Sequence, residues 1–112
     1  MPSERARQGL TDIRDNILLA QAFAGKLDEA GFRNDQKTIY AVVRALEIIS
    51  EASRRLPEDV KEKHPHLPWK QIAGAGNVYR HDYHNLSADF VWITLHHSLP
   101  RLLVAVEAEL AE

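Results

Sequence analysis

Two helical turns hold most of the side chains in this sequence that could do chemistry: Gly76-Asn77-Val78-Tyr79-Arg80-His81-Asp82-Tyr83. An imidazole with an ordinary pKa of about 6.5 takes up or gives a proton near neutral pH. Beside His81, Arg80 brings a permanent charge and a planar fork suited to phosphate oxygens. Tyr83 adds a polar hydroxyl open to modification, and Asp82 stands between the two. Such a set suits phosphodiester chemistry. On a continuous helix Asn77 lies four residues before His81, and Arg80 four before His84, so each pair shares a face. Arg80 itself is rotated about 100° from His81 on an ideal helix. Tyr83 approaches the same space only if the helix ends near Asp82, which the breakers Asn85 and Ser87 permit. Taken without further context, the cluster is more plainly a capping and packing arrangement at a helix end.

Other residues compete for a role. Glu51 interrupts the apolar face Leu46-Ile49-Ala52, and a carboxylate near a buried face needs a partner, for which Arg80 and His81 are candidates. Six histidines invite a metal reading: His81 and His84 have i, i+3 spacing, with His96-His97 further on. A zinc site wants a third or fourth ligand and supporting partners, and adjacent His96 and His97 face different ways on a helix. No metal and no cofactor is therefore assigned. His64 and His66 flank prolines in a connector and read as solvated.

The elements that must position this set are helical throughout. Ala6, Leu10, Ile13, Ile17, Ala20 and Ala24 recur at threes and fours, with Ser3 as N-cap and Glu4 at the positive end of the dipole. Residues 25–35 are more polar and read as a loop or a short turn of helix. A second stripe, Ile39, Val42, Leu46, Ile49, Ala52 and Leu56, is widened by Val43, Ala45 and Ile48, as in a central helix with several neighbours. Pro57-Glu58-Asp59-Val60 suits a first turn, and His64-Pro65-His66-Leu67-Pro68 a rigid connector. The third long element runs from Trp69 to about Tyr83. Its Gly74 and Gly76 each cost roughly 1 kcal/mol against alanine, which calls for a close backbone neighbour or a functional reason. Ser87 and Asp89 restart a last helix with its stripe at Trp92, Leu95, Leu99, Leu102, Val106 and Leu110, in which Pro100 should kink the rod or loosen one turn. The expected fold is all-α: a single domain over 1–112, an up-and-down bundle of about four main helices plus a short one.

Bulk composition narrows the function classes. A formal net charge of −2 over 112 residues excludes binding of nucleic acid by overall basicity, so any RNA contact needs a local cluster of cations. The absence of cysteine removes disulfides, thiolate zinc sites and thiol catalysis, and fits a reducing cytoplasm. No apolar h-region follows the first residues and no run approaches the ~18 residues of a membrane span.

Several segments line up with one pattern. Leu46-Glu47-Ile48-Ile49-Ser50-Glu51-Ala52 resembles the "LEIIGEA" helix of the HepT-like family of the HEPN superfamily. Leu67-Pro68-Trp69-Lys70-Gln71-Ile72-Ala73-Gly74 resembles its "IPW..I.G" segment, and His81-Asp82-Tyr83 its His-x-Tyr signature. Phe90-Val91-Trp92-Ile93 and Leu99-Pro100-Arg101-Leu102 resemble its closing helix. The likeness implies a helical homodimer with two signature helices at a cleft, acting as a metal-independent endoribonuclease and as the toxin of a toxin–antitoxin pair. Its implied partners are RNA and an MNT-type nucleotidyltransferase antitoxin that silences the toxin by adding AMP to the signature tyrosine. On that likeness His81 is the general acid/base on the ribose 2′-hydroxyl, Tyr83 the AMP acceptor, and Asn77 a residue orienting the phosphate or His81. One departure stands out: Gly76 occupies the place where the family has arginine, and Arg80 sits directly before His81 instead. Loss of a fixed cation beside a dianionic transition state typically costs several kcal/mol. On an ideal helix Arg80 replaces that cation only across a two-fold axis, in the other subunit's site; the rival expectation is a catalytically impaired HEPN domain that binds nucleotide, RNA or its partner.

Overall fold

The computed structural model describes residues 2–81 and 87–112, His81 through its backbone alone. Its elements are α1 (Glu4–Ala24), α2 (Glu29–Arg33), α3 (Gln36–Arg54), α4 (Glu58–Glu62), α5 (Trp69–His81), α6 (Ala88–Ile93), a π-helical turn (Thr94–Ser98) and α7 (Leu99–Leu110). No strand occurs among the described residues. The all-α bundle expected from the periodicity is the fold observed.

Caps and turn residues set most boundaries. The Ser3 hydroxyl accepts the Ala6 N–H at 3.1 Å and opens α1. Gly25, at φ 54°, closes it with its N–H on the Gln21 carbonyl, a left-handed position that glycine fills without a Cβ penalty. The stretch read as a loop or short turn holds the five-residue α2, capped by Asp28 through the Gly31 N–H at 2.7 Å and pinned by the fully buried Phe32. Asp35 caps α3. The Thr38 backbone N–H, together with the Thr38 side chain, holds the Asp35 carboxyl below its usual range. Ser87 restarts the chain after the signature segment by accepting the Phe90 N–H at 3.1 Å.

The predicted stripes are the core. Every apolar position named for α1 is buried, as are Val42, Leu46, Ile49 and Ala52 of α3 and Leu95, Leu99, Leu102 and Val106 of the closing segment. Trp92 and Leu110, expected in the same stripe, are partly buried and pack against that core. α1 and α3 pack antiparallel: Arg55 at the end of α3 reaches Asp12 on α1 at 3.0 Å. A side chain at Gly9 would lie 3.2 Å from Leu56. α3 also carries α5, and α7 returns along α1, where the Arg7 guanidinium donates to the Leu110 carbonyl at 3.3 Å. The closing segment is not one rod. Pro100 cannot donate to the carbonyl one turn back, and the turn before α7 widens into the π conformation, which keeps Leu95 and Leu99 both buried.

The connector departs from its expected solvation. The His64 imidazole contacts the buried carboxylate of Glu109 at 2.8 Å, and its carbonyl accepts the Trp69 indole N–H at 3.0 Å. Lys63 stands 3.7 Å from the same carboxylate. An unpaired buried acid near the end of α7 needed a partner, and the two prolines hold His64 where it supplies one. Among the described residues no helix is long and apolar enough to cross a membrane.

Candidate active site

The site is built on the seam between α3 and α5. Pro68 directly precedes α5, and its carbonyl accepts the Ile72 N–H at 3.0 Å. The Trp69 ring, held by the His64 carbonyl, and the buried Leu67 fix where α5 begins. Ser50, 2% exposed, then joins the two helices. Its hydroxyl donates to the Ala73 carbonyl at 2.9 Å and accepts the Gly76 N–H at 2.9 Å. The Arg54 guanidinium adds a second donor to Ala73 at 2.8 Å.

This seam accounts for Gly76. A Cβ at that position would lie 2.8 Å from Ser50 Oγ and 3.3 Å from Ser50 Cβ, closer than side-chain atoms pack. The close neighbour that the helical glycine called for is thus the Ser50 side chain. Gly74 differs: nothing lies within 4 Å of a Cβ built there, and no contact explains it.

The same glycine leaves room for Arg80. The Arg80 guanidinium folds back one turn, donates to Asn77 Oδ1 at 2.9 Å, and brings Nη1 to 3.7 Å from the position of a Cβ on residue 76. Residues 76 and 80 share a helix face, and helical side chains lean toward the N-terminus. The 100° rotation from His81 therefore does not keep the charge away from the position where an arginine was missing. The long side chain carries the guanidinium back over Gly76 within one subunit.

In front of Arg80 a groove of about 530 Å³ runs between the helices, lined by Tyr40, Val43, Arg44, Glu47, Tyr79 and Arg80. Arg44 and Glu47 form a long ion pair at 3.5 Å, with side chains 69% and 18% exposed. Tyr79 is the inner wall. It is buried, its ring lies 6.4 Å from that of Phe90, and burial pushes its hydroxyl up to about 12, against a hydrogen bond with the Thr94 side chain that works in the opposite direction. Behind it, on the other side, an apolar cavity of about 240 Å³ opens between α5 and the π turn.

Of the residues expected at the site, Asn77 and Arg80 are brought together. The His81 side chain, Asp82, Tyr83 and His84 lie outside the described residues. Glu51 is exposed, and no ion pair or hydrogen bond engages it among the described residues. The acid beside Arg80 is Glu47, one turn earlier on α3, because the antiparallel course of the helices sets residues 43–47 against the end of α5 and Ser50 against its middle. Tyr40, Arg44 and Glu47 were not singled out from the sequence. Their i, i+4, i+7 spacing marks one polar face of α3, visible once the apolar stripe is set aside. No group of three His, Cys, Asp or Glu residues placed to hold a metal occurs among the described residues.

Comparison with known proteins bears directly on this arrangement. The family model described as "Ribonuclease HepT-like" matches residues 13–109. The chain is 38% identical over 93 residues, 83% of its length and 84% of the relative's, to the "Probable ribonuclease HepT" of Thermococcus cleftensis. It is 33% identical over 102 residues to the "Putative RNase MJ0125" of Methanocaldococcus jannaschii, covering 91% of this chain and 88% of that one. No solved structure matches.

Proposed function

Since the chain belongs to the ribonuclease HepT-like family, we propose that it is a metal-independent endoribonuclease whose phosphate-binding cation is Arg80. His81 takes the proton of a ribose 2′-hydroxyl, the freed oxygen attacks the adjacent phosphorus, and the bond to the 5′-oxygen breaks. That oxygen leaves as a hydroxyl after taking up a proton, and a cyclic phosphate remains. The Arg80 guanidinium, oriented by Asn77, stabilises the non-bridging oxygens as charge builds on them. The supporting observation is the guanidinium itself, turned back over Gly76 and tied to Asn77 at 2.9 Å. An arginine left free in solvent would have to be ordered at the moment of reaction, whereas this one is already held.

In the same reading the protein is the toxin of a toxin–antitoxin pair and works as a homodimer. Tyr83 is the acceptor of AMP from a nucleotidyltransferase antitoxin. Tyr79 is no rival acceptor: its hydroxyl is buried and held protonated. The alternative, an impaired HEPN domain that only binds RNA, nucleotide or its partner, draws support from Gly76 alone.

Cleavage of RNA by the purified protein in the presence of a chelator tests the proposal. Wild-type protein should cut, His81→Ala should not, and Arg80→Ala should fall by about 10²–10³ in rate, the usual effect of removing one transition-state donor. Arg80→Ala cutting as fast as wild type would leave Gly76 without a replacement cation and sink the assignment. Failure of the unmodified wild-type protein to cut any RNA would favour the binding-only alternative.

A further inference from the structure

Helix α1 is apolar on two sides. Its buried stripe lies on the core. In its last two turns Leu18, Leu19 and Ala22 are exposed on the side turned away from that core, with Phe23 beside them. The three large side chains keep 46%, 47% and 44% of their surface in solvent. Earlier on the same outer face stand the exposed polar side chains Gln8 and Asp15, so the apolar character is confined to the C-terminal half. Single exposed apolar residues are ordinary, whereas a contiguous group on one helix marks a surface that something else covers. Charges of opposite sign close the patch at its two ends. Beyond Gly25, which closes α1, Lys26 is exposed and has no ion pair among the described residues. At the other end Asp15 meets only its neighbour Arg14, at 3.1 Å. An ion pair so exposed contributes little, and the carboxylate is open to a second cation.

We infer that this face is a self-association surface, on which α1 packs antiparallel against α1 of a second copy. A two-fold axis level with the gap between residues 20 and 21 makes the patch its own complement. It sets Leu19 against Phe23 of the second copy, Leu18 against Ala22 and Asp15 against Lys26, each pair occurring twice. A parallel pairing would instead bring Asp15 to Asp15 and Lys26 to Lys26, and like charges facing each other oppose association. The small Ala22 side chain lets the two helix axes approach to the usual spacing of about 8–10 Å. Residues 15–24 span about 15 Å of helix, a contact at the low end of specific interfaces, below about 1,200 Å². The association is therefore weak and follows protein concentration. It is also separate from the candidate active site. α1 packs on α3 and α7, and its outer face points away from the seam that carries Gly76 and Arg80. A homodimer built on the signature helices would thus be doubled into an assembly of four chains, and the surface does not depend on the ribonuclease reading.

Sedimentation velocity of the full-length protein over a wide range of concentration tests the surface. Wild type should show a species of twice the mass of the smaller one, growing as concentration rises. Leu19→Glu should remove that larger species while circular dichroism shows the helical fold kept, since the side chain it replaces is exposed. Asp15→Lys and Lys26→Asp should each weaken the association several-fold. Combined, they should bring it back to within about twofold of wild type, because the exchanged charges again meet as opposites. A mass that Leu19→Glu does not lower at any concentration overturns the proposal. So does a double charge exchange that fails to recover what the single ones lose, since the pairing of α1 with itself would then be wrong. Loss of a nucleotidyltransferase complex in Leu19→Glu with self-association intact assigns the face to that partner and overturns it as well. RNA cleavage per chain should be equal in Leu19→Glu and wild type. The two readings fail separately: wild type that associates through Leu19 yet cuts no RNA keeps the surface and loses the nuclease, and cleavage by a protein whose mass Leu19→Glu leaves unchanged does the reverse.

Discussion

Two glycines two residues apart on α5 should respond to the same substitution with opposite signs. Alanine in a helix is favoured over glycine by about 1 kcal/mol, and at Gly74, where nothing lies within 4 Å, Gly74→Ala should realise that gain. At Gly76 the new methyl group would start 2.8 Å from Ser50 Oγ. The hydroxyl would have to turn away from both Ala73 and Gly76, giving up two bonds of 2.9 Å inside a buried seam, each worth about 1 kcal/mol. Residual crowding against Ser50 Cβ at 3.3 Å adds about 1–3 kcal/mol, the usual range for overpacking. Set against the helix gain, Gly76→Ala should destabilise by about 2–4 kcal/mol. Thermal unfolding followed by circular dichroism reads both variants, with Tm expected to rise by about 4 °C in one and fall by roughly 8–16 °C in the other. Ser50→Ala supplies the internal check: with the hydroxyl gone, Gly76→Ala should cost at least 1 kcal/mol less than in wild type, a coupling expected only of groups in contact. If Gly76→Ala stabilises as Gly74→Ala does, the close approach of α3 and α5 is wrong, and the account of Gly76 goes with it.

Three further outcomes follow from the packing. Tyr79 ionises at about 12 in the fold against 10.0 for a free phenol, so its burial contributes fully below pH 10. That contribution is lost as pH rises through 12, by about 2–3 kcal/mol at 1.36 kcal/mol per pKa unit; alkaline melts should show the loss, and Tyr79→Phe should remove it. His64→Ala should destabilise by about 1–3 kcal/mol in urea melts, because Glu109 is buried and loses its 2.8 Å partner, whereas His64→Ala combined with Glu109→Leu should recover most of that loss. Glu51→Gln should leave both Tm and RNA cleavage at wild-type values, since the residue is exposed and unengaged among the described residues; a drop in cleavage would return Glu51 to the site.

What could be read from the chain and what could not divide along physical lines. Periodicity within a helix is local, so the buried faces of α1, α3 and the closing segment were legible, and Pro100 announced the loosened turn before α7. The phase of one helix against another is not local. Glu51 looked engaged because it lies among buried residues, and only the antiparallel setting of α3 on α5 shows that Glu47 is the acid facing Arg80. Gly76 was legible as an anomaly but not as a contact, since its neighbour Ser50 lies 26 residues away. The place of the Arg80 guanidinium was not legible for a third reason: the direction of a Cα–Cβ bond says little about where a long side chain ends, and here the space over Gly76 and the amide of Asn77 decide it. Tyr40 and Arg44 were passed over because a polar helix face resembles any solvated one until a second helix makes it the wall of a groove.

The seam between Ser50 and Gly76 also limits what can be written back into it. The family pattern has glycine where this chain has Ser50 and arginine where it has Gly76, and the two departures meet at 2.9 Å. A side chain placed at position 76 would start 2.8 Å from Ser50 Oγ and 3.7 Å from the Arg80 guanidinium. Restoring an arginine there is therefore a double change and not a single one: Ser50→Gly has to open the seam, and the guanidinium of Arg80 has to give up the space it fills over the glycine.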